Sequence, residues 1–296
     1  MLLVLLRGLF VACALSAFGA ALFGAALLKG VSADLDAASR ALIERRVRMV
    51  MRASLAAALP VALIWLALEA RTMSGATTLS EWDAAIPVVL LHTSFGQVLA
   101  LQALAIAGAL AACAIQRWPS LLAVALAGLG VLLEAGHSHA YAMTDPTLVA
   151  SQALHLLASG AWLGALVPLL IVVQDAPLSV AAAVARRFAT LGSISVTVLA
   201  GTAVYQGFVL SGGLRGLTGT AYGGVLITKA AIFAFLLALA AVNRWRLTPA
   251  LAAPDGETAR RALISSIAAE TVLGLLVVLA ASALSSLEPG MHMGSG

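Results

Sequence analysis

Charged residues are scarce in this sequence. Only 10% of the 296 residues are Asp, Glu, Lys or Arg, whereas 62% are hydrophobic, and the mean hydropathy is +1.04. A soluble domain of this length needs more polar surface than these side chains supply. The scarcity of charge therefore excludes an ordinary soluble fold and indicates an integral membrane protein.

Cysteines and nucleotide-binding motifs are also scarce or absent. The two cysteines, Cys13 and Cys113, lie inside long apolar stretches, which argues against a disulfide framework. No glycine-rich phosphate-binding motif occurs, which argues against ATP-driven pumping by this chain. The pI of about 9.6 fits nucleic-acid binding too, but the basic residues are explained more simply by membrane topology. No nucleic-acid partner is expected.

The long apolar stretches are rich in Leu, Ala and Val without alternation, which favours helices over a β-barrel. At about 20 apolar residues per crossing, the sequence predicts an all-α polytopic bundle of about eight transmembrane spans. They lie near 2–28, 51–70, 86–113, 119–142, 147–173, 188–211, 221–242 and 262–284. We predict one transmembrane domain over residues 1–284 and a short periplasmic tail over 285–296.

Basic residues predict the orientation of the spans. Most of the 17 Lys and Arg residues fall in the first, third, fifth and seventh connections, for example Arg45, Arg46, Arg186, Arg187 and Arg260. By the positive-inside rule these connections are cytoplasmic. Both termini are therefore predicted to face the periplasm of a bacterial inner membrane.

All five histidines fall in the predicted outer half. His92 lies ~9 Å into the third span and His155 ~12 Å into the fifth, at ~1.5 Å per residue. His137 and His139 close the fourth span, and His292 is on the tail. Imidazole suits Cu(II), Zn and haem iron, and together with methionine thioether it suits Cu(I). We predict a copper site, Cu(I) or Cu(II), with His92, His137, His155 and His139 as ligands.

Each ligand has a structural alternative. A lone intramembrane histidine can simply donate a hydrogen bond to a neighbouring helix. His137 and His139 point away from each other on a regular helix, and they converge only if the helix frays after Ser138. A shared site for His92 and His155 is predicted because both lie at similar depth.

Several other residues are predicted to support this site or a pathway to it. Glu134 lies on the same helical face as His137 and is predicted either to orient its imidazole or to act in proton transfer. The structural alternative is a surface acid whose carboxylate reaches the membrane interface. Ser151, His155, Ser159 and Trp162 form one polar and aromatic stripe that is predicted to line the bundle interior.

Two flanking segments and one charge pair complete the candidates. Gly96 is predicted to permit close helix contact, beside the intramembrane Gln97. The tail segment Met291, His292 and Met293 is either a soft metal-capture strand or an ordinary mobile end. Lys229 and Glu270, in adjacent spans, are predicted to form a structural ion pair, with ion translocation as the alternative.

The sequence resembles the CopD copper-resistance membrane proteins in four segments. They are His155-Leu156-Leu157 followed by Ala161-Trp162-Leu163-Gly164-Ala165-Leu166, the preceding Gly136-His137, Thr93-Ser94-Phe95-Gly96, and Trp65 with the later Met73-Ser74-Gly75. The resemblance implies a multi-pass inner-membrane protein that moves copper from periplasm to cytoplasm in copper homeostasis and resistance. It also implies a periplasmic copper-carrier partner of the CopC type, and His92, His137 and His155 as metal ligands. The family often has a basic residue where this chain has Gln97.

The sequence also fits two alternatives to copper transport. Paired transmembrane histidines also serve as axial ligands in b-type haem redox proteins. A third reading is a protein that holds copper for a partner without transporting it. The inner half carries no comparable series of His or Met residues, so the sequence supports an outer copper site better than complete transport. No enzymatic activity is expected under the leading reading.

Overall fold

A computed structural model describes residues 1–30, 35–115, 118–138, 145–211 and 221–284, and the described part of the chain is helical without strands. Its main helices are α1 (Leu2–Leu22), α2 (Ala37–Ser74), α3 (Leu79–His92), α4 (Ser94–Ile115), α5 (Leu121–Leu133), α6 (Pro146–Trp162), α7 (Leu166–Asp175), α8 (Leu178–Ser211), α9 (Ala221–Val242) and α10 (Gly256–Leu284). This confirms the predicted all-α polytopic class.

Long apolar segments account for most of the predicted spans. Seven described helical segments are long and apolar enough to cross a membrane, namely Leu2–Leu28, Ala37–Ser74, Ser94–Ile115, Pro146–Asp175, Leu178–Leu210, Gly223–Ala250 and Gly256–Leu284. The predicted fourth span corresponds to the shorter apolar segment Leu121–His137. Each predicted span therefore overlaps a helix, while the side of the membrane that each terminus faces stays a prediction.

The second and third spans differ from the predicted bounds. Helix α2 begins well before residue 51 because the Asp36 carboxylate accepts hydrogen bonds from the Ala38 and Ser39 amides, at 3.0 and 2.9 Å, which caps a helix start. The predicted span 86–113 is divided into α3 and α4 at Thr93, whose backbone is extended. The Thr93 hydroxyl donates to the Val89 carbonyl, 2.7 Å away, and closes the end of α3.

The helices form two packed groups around α1. Phe10, Met51 and Trp65 belong to a buried cluster that joins α1, α2 and α4. Leu166 and Leu263 belong to a second buried cluster in the C-terminal part of the bundle. Both groups of helices contact α1, which therefore lies at the centre of the fold.

Helix α1 meets the second group through glycines. A 3-10 turn over Leu163–Ala165 separates α6 from α7. A Cβ added to Gly164 would lie 2.0 Å from the Leu15 carbonyl oxygen, and one added to Gly19 would lie 2.2 Å from the Gly164 carbonyl carbon. Backbone therefore packs directly on backbone here, which only glycine permits.

Candidate functional site

His137 lies where three helices meet. Helix α5 ends at Leu133 and continues as a 3-10 turn over Glu134–His137. This turn directs the His137 ring against Trp65 of α2 and Phe95 of α4, each with a centroid separation of 5.2 Å. The imidazole is therefore held on two sides by aromatic rings.

Gln102 fixes the orientation of the His137 ring. The Gln102 side chain is fully buried, and its Nε2 donates to the Gly130 carbonyl and to Glu134 Oε2, both at 3.1 Å. The amide oxygen, Oε1, consequently faces His137 Nε2 at 2.9 Å. Because an amide oxygen only accepts, His137 Nε2 carries the proton and Nδ1 keeps its lone pair. The ring nitrogen free to bind a metal is thus Nδ1.

A buried ion pair stabilises the same corner. Arg7 of α1 donates through Nε and Nη2 to Glu134 Oε1, both at 3.1 Å. The Arg7 Nη2 atom also donates to the His137 carbonyl at 3.1 Å. Glu134 is 5% exposed, so its charge depends on this pairing and on the Gln102 amide.

A cavity of about 570 Å³ lies on the other side of this ion pair, between α1, α6, α8, α9 and α10. Most of its wall is apolar. Its polar and charged lining comprises Arg7, Glu134, Ser138, Gln152, His155, Ser159, Gln206, Lys229 and Ser282. Arg7 and Glu134 therefore touch both the cavity and the network that holds His137.

His155 lines the cavity and is anchored by Thr202 of α8. Its Nδ1 lies 2.7 Å from Thr202 Oγ1, and the Thr202 hydroxyl donates to the Val198 carbonyl at 2.7 Å. Since the single hydroxyl proton is used toward Val198, the geometry favours donation from Nδ1–H to Thr202. His155 Nε2 then keeps the lone pair, so both histidines have one anchored and one free ring nitrogen.

The predicted interior stripe is confirmed. His155, Ser159 and Trp162 line the cavity, and Ser151 accepts a hydrogen bond from Gln206 at 3.1 Å. The predicted close approach at Gly96 is also confirmed, because an added Cβ would lie 2.2 Å from the Val89 carbonyl oxygen.

His92 and Gln97 lie elsewhere. His92 is exposed at the end of α3 and is not among the residues that line the cavity. Gln97 is exposed and donates to the Leu91 carbonyl at 2.9 Å. His92 therefore does not line the cavity that His155 lines, and His92 as a copper ligand stays a prediction.

The remaining predicted site residues are Glu134, His139 and the three tail residues. Glu134 does support His137, but through Gln102 rather than by a direct side-chain hydrogen bond. His139, Met291, His292 and Met293 lie outside the described residues. Within the described ranges, no group of three or more His, Cys, Asp or Glu side chains is placed to hold a metal ion.

Sequence reasoning missed two residues of the network and misassigned one pair. Gln102 and Arg7 are single polar residues inside apolar helices. A polar residue at such a position indicates a buried partner or a functional site, and this feature could have identified both. Glu270 was predicted to pair with Lys229; instead its Oε1 accepts from Asn243 Nδ2 at 2.6 Å. The ion pairs within the described residues do not include Lys229.

The fold and the site define a polytopic helical membrane protein with a buried histidine network beside an intramembrane cavity. Residues 1–142 match the family model of the copper resistance protein D-like N-terminal domain, and residues 182–284 match that of copper resistance protein D. The chain is 30% identical to copper resistance protein D of Pseudomonas syringae pv. tomato over 94% of this chain and 93% of that protein. The chain therefore belongs to the copper resistance protein D family. No solved structure matches it.

Proposed function

We propose that this chain binds copper and carries it from the periplasm to the cytoplasm across the bacterial inner membrane, without a chemical reaction of its own. Family membership supports a role in copper resistance. The observation that carries the proposal is the anchoring of His137 Nε2 by Gln102, which leaves Nδ1 as a preorganised ligand atom. Hydrogen bonds that orient a ligating imidazole in this way strengthen metal binding.

The small number of ligands fits transport better than storage. A site that conducts must bind an ion well enough to load and weakly enough to release it. His137 and His155 each offer one free ring nitrogen and lie on opposite sides of the Arg7–Glu134 pair. We infer that copper binds first at His137 and passes to His155 by ligand exchange.

The source of the ion is inferred from the resemblance. A small periplasmic copper carrier of the CopC type is proposed to deliver copper to the predicted periplasmic end of the bundle. His139 and the tail residues Met291, His292 and Met293 are proposed to assist capture, since imidazole and thioether suit Cu(I).

Purified protein in detergent and in proteoliposomes tests the proposal. The assays are copper binding under reducing conditions and copper accumulation in the lumen, with wild type, His137→Ala, His155→Ala and His92→Ala. We expect His137→Ala and His155→Ala to lower accumulation at least about tenfold. His92→Ala tests a third predicted ligand separately. The control is Gln174→Leu, at an exposed side chain of α7, which is expected to leave both assays unchanged.

Other outcomes contradict the proposal in distinct ways. Stoichiometric copper binding without accumulation in the lumen would identify a protein that holds copper for a partner. Copper binding indifferent to His137→Ala and His155→Ala would refute the proposed ligands. A Soret band after haem-sufficient expression, with no copper binding, would support the b-type haem alternative.

A further inference from the structure

The cavity is much larger than an ion site requires. Its volume is about 570 Å³, whereas one water molecule occupies ~30 Å³ in the liquid. Pockets of ~300–1,000 Å³ are those in which proteins hold cofactors and other small organic molecules. A copper ion bound to His155 would leave most of this space to another occupant.

The cavity is also long. On α6 its lining extends from Gln152 to Trp162, and on α9 from Leu226 to Leu236. Both stretches correspond to ~15 Å at ~1.5 Å per residue. An elongated apolar molecule fits such a space, and the surrounding bilayer is its natural source.

Lys229 provides a polar anchor in this apolar space. Its side chain lines the cavity, and within the described part of the chain it has neither a hydrogen-bond partner nor an ion-pair partner. A charged group inside a membrane bundle is costly and is normally paired. The ammonium is therefore suited to donate hydrogen bonds to an oxygen atom of a bound molecule.

Aromatic side chains also line this cavity. Trp162 and Phe233 both line it, and their rings meet edge to face with a centroid separation of 6.2 Å. Trp162 is only 1% exposed, so its indole is held in one position. These rings provide an apolar wall for a ring or a chain.

We propose that this cavity binds a membrane-soluble amphiphile with an elongated apolar body and an acceptor oxygen at its head, which receives hydrogen bonds from Lys229. Two sources share this chemistry, the carbonyl oxygen of a quinone and the carboxylate of a fatty acid. The proposal does not depend on copper binding, and its test contains no copper.

The experiment titrates the full chain in nanodiscs with decylubiquinone in one arm and dibromostearate in the other. Both molecules quench tryptophan fluorescence, and Trp162 is the reporter that lines the cavity. We expect saturable quenching, a loss of most of it in Trp162→Phe, and an affinity at least about tenfold weaker in Lys229→Met. Saturation in one arm only identifies the source.

A matched control distinguishes binding in the cavity from partition of the ligand into the lipid. The chain has a second lysine, the exposed Lys29, and Lys29→Met is expected to bind as wild type does. Lys229→Arg retains the donor and is expected to restore most of the affinity. Quenching that rises linearly with ligand in both arms, or that is equal in Lys229→Met and Lys29→Met when both proteins are folded, would overturn the proposal.

Discussion

Gln102 Oε1 lies 2.9 Å from His137 Nε2, across a sequence separation of 35 residues. This contact is unambiguous in direction, because both Gln102 Nε2 contacts are to acceptors, the Gly130 carbonyl and Glu134 Oε2. A residue with no metal-binding side chain thereby decides which nitrogen of His137 is available as a ligand.

Substitution of Gln102 by Leu should weaken both the fold and the site. The change removes two donated hydrogen bonds and leaves buried acceptors without a partner, which costs about 1–3 kcal/mol in the free energy of unfolding. Copper affinity should fall about tenfold to a hundredfold, as for other residues that orient a ligating histidine. Chemical denaturation and copper titration measure the two effects. Gln174→Leu, at an exposed glutamine of α7 whose side chain has no hydrogen bond among the described residues, is the control and should change neither.

The Arg7–Glu134 pair should show strong coupling between its members. Arg7→Met leaves the 5%-exposed Glu134 carboxylate without its cation and should cost about 3 kcal/mol in the free energy of unfolding. The double variant Arg7→Met/Glu134→Gln removes both charges and should recover much of that loss. A double-mutant cycle in detergent measures the coupling. Additive effects of the two changes would contradict the pairing.

Gly164 should not tolerate even one added methyl group. An alanine Cβ there would lie 2.0 Å from the Leu15 carbonyl oxygen, and backbone has no rotamer by which to move away. We expect Gly164→Ala to lower the free energy of unfolding by about 3 kcal/mol or more, or to prevent accumulation of folded protein. Gly201→Ala is the control because nothing lies within 4 Å of its added Cβ. Thermal unfolding and size-exclusion profiles compare them.

The stability that the start of α3 contributes to the fold should depend on pH. Backbone and side-chain hydrogen bonds from Thr77 and Thr78 hold the pKa of Glu81 below its ordinary value of 4.5. A carboxyl whose pKa is lowered by folding stabilises the folded state above the unfolded pKa, and this stability is lost as pH falls through the folded pKa. Wild type should therefore be more stable than Glu81→Gln at pH 7, and the difference should disappear in acid. Denaturation at a series of pH values measures it.

The sequence predicted the helices well because hydropathy and turn residues act locally. It also placed His155, Ser159 and Trp162 on one interior face, since helical periodicity alone determines which side chains share a face. It could not predict which helices are neighbours. The Arg7–Glu134 contact joins residues 127 positions apart, and nothing in either helix specifies the other as partner.

One error and one untested inference rest on the same kind of argument. The pairing of Lys229 with Glu270 was inferred from opposite charges in adjacent spans, but side-chain direction decides contact, and Glu270 faces Asn243. The shared depth of His92 and His155 likewise says nothing about their direction around the bundle. The break at Thr93 was not predicted because the apolar composition continues on both sides of it. In the structure the Thr93 hydroxyl donates a hydrogen bond to the Val89 carbonyl and ends α3.

The Arg7–Glu134 pair determines whether the proposed transport would move net charge across the membrane. The negative charge of Glu134 is already matched by Arg7, and His137 Nδ1 has no proton to release when a metal arrives. A copper ion that enters this network therefore brings its full positive charge into the bundle. Passage by this route would be electrogenic, driven by ~2.3 kcal/mol per unit charge for each 100 mV of membrane potential. An interior-negative potential would then pull copper inward with no other energy source.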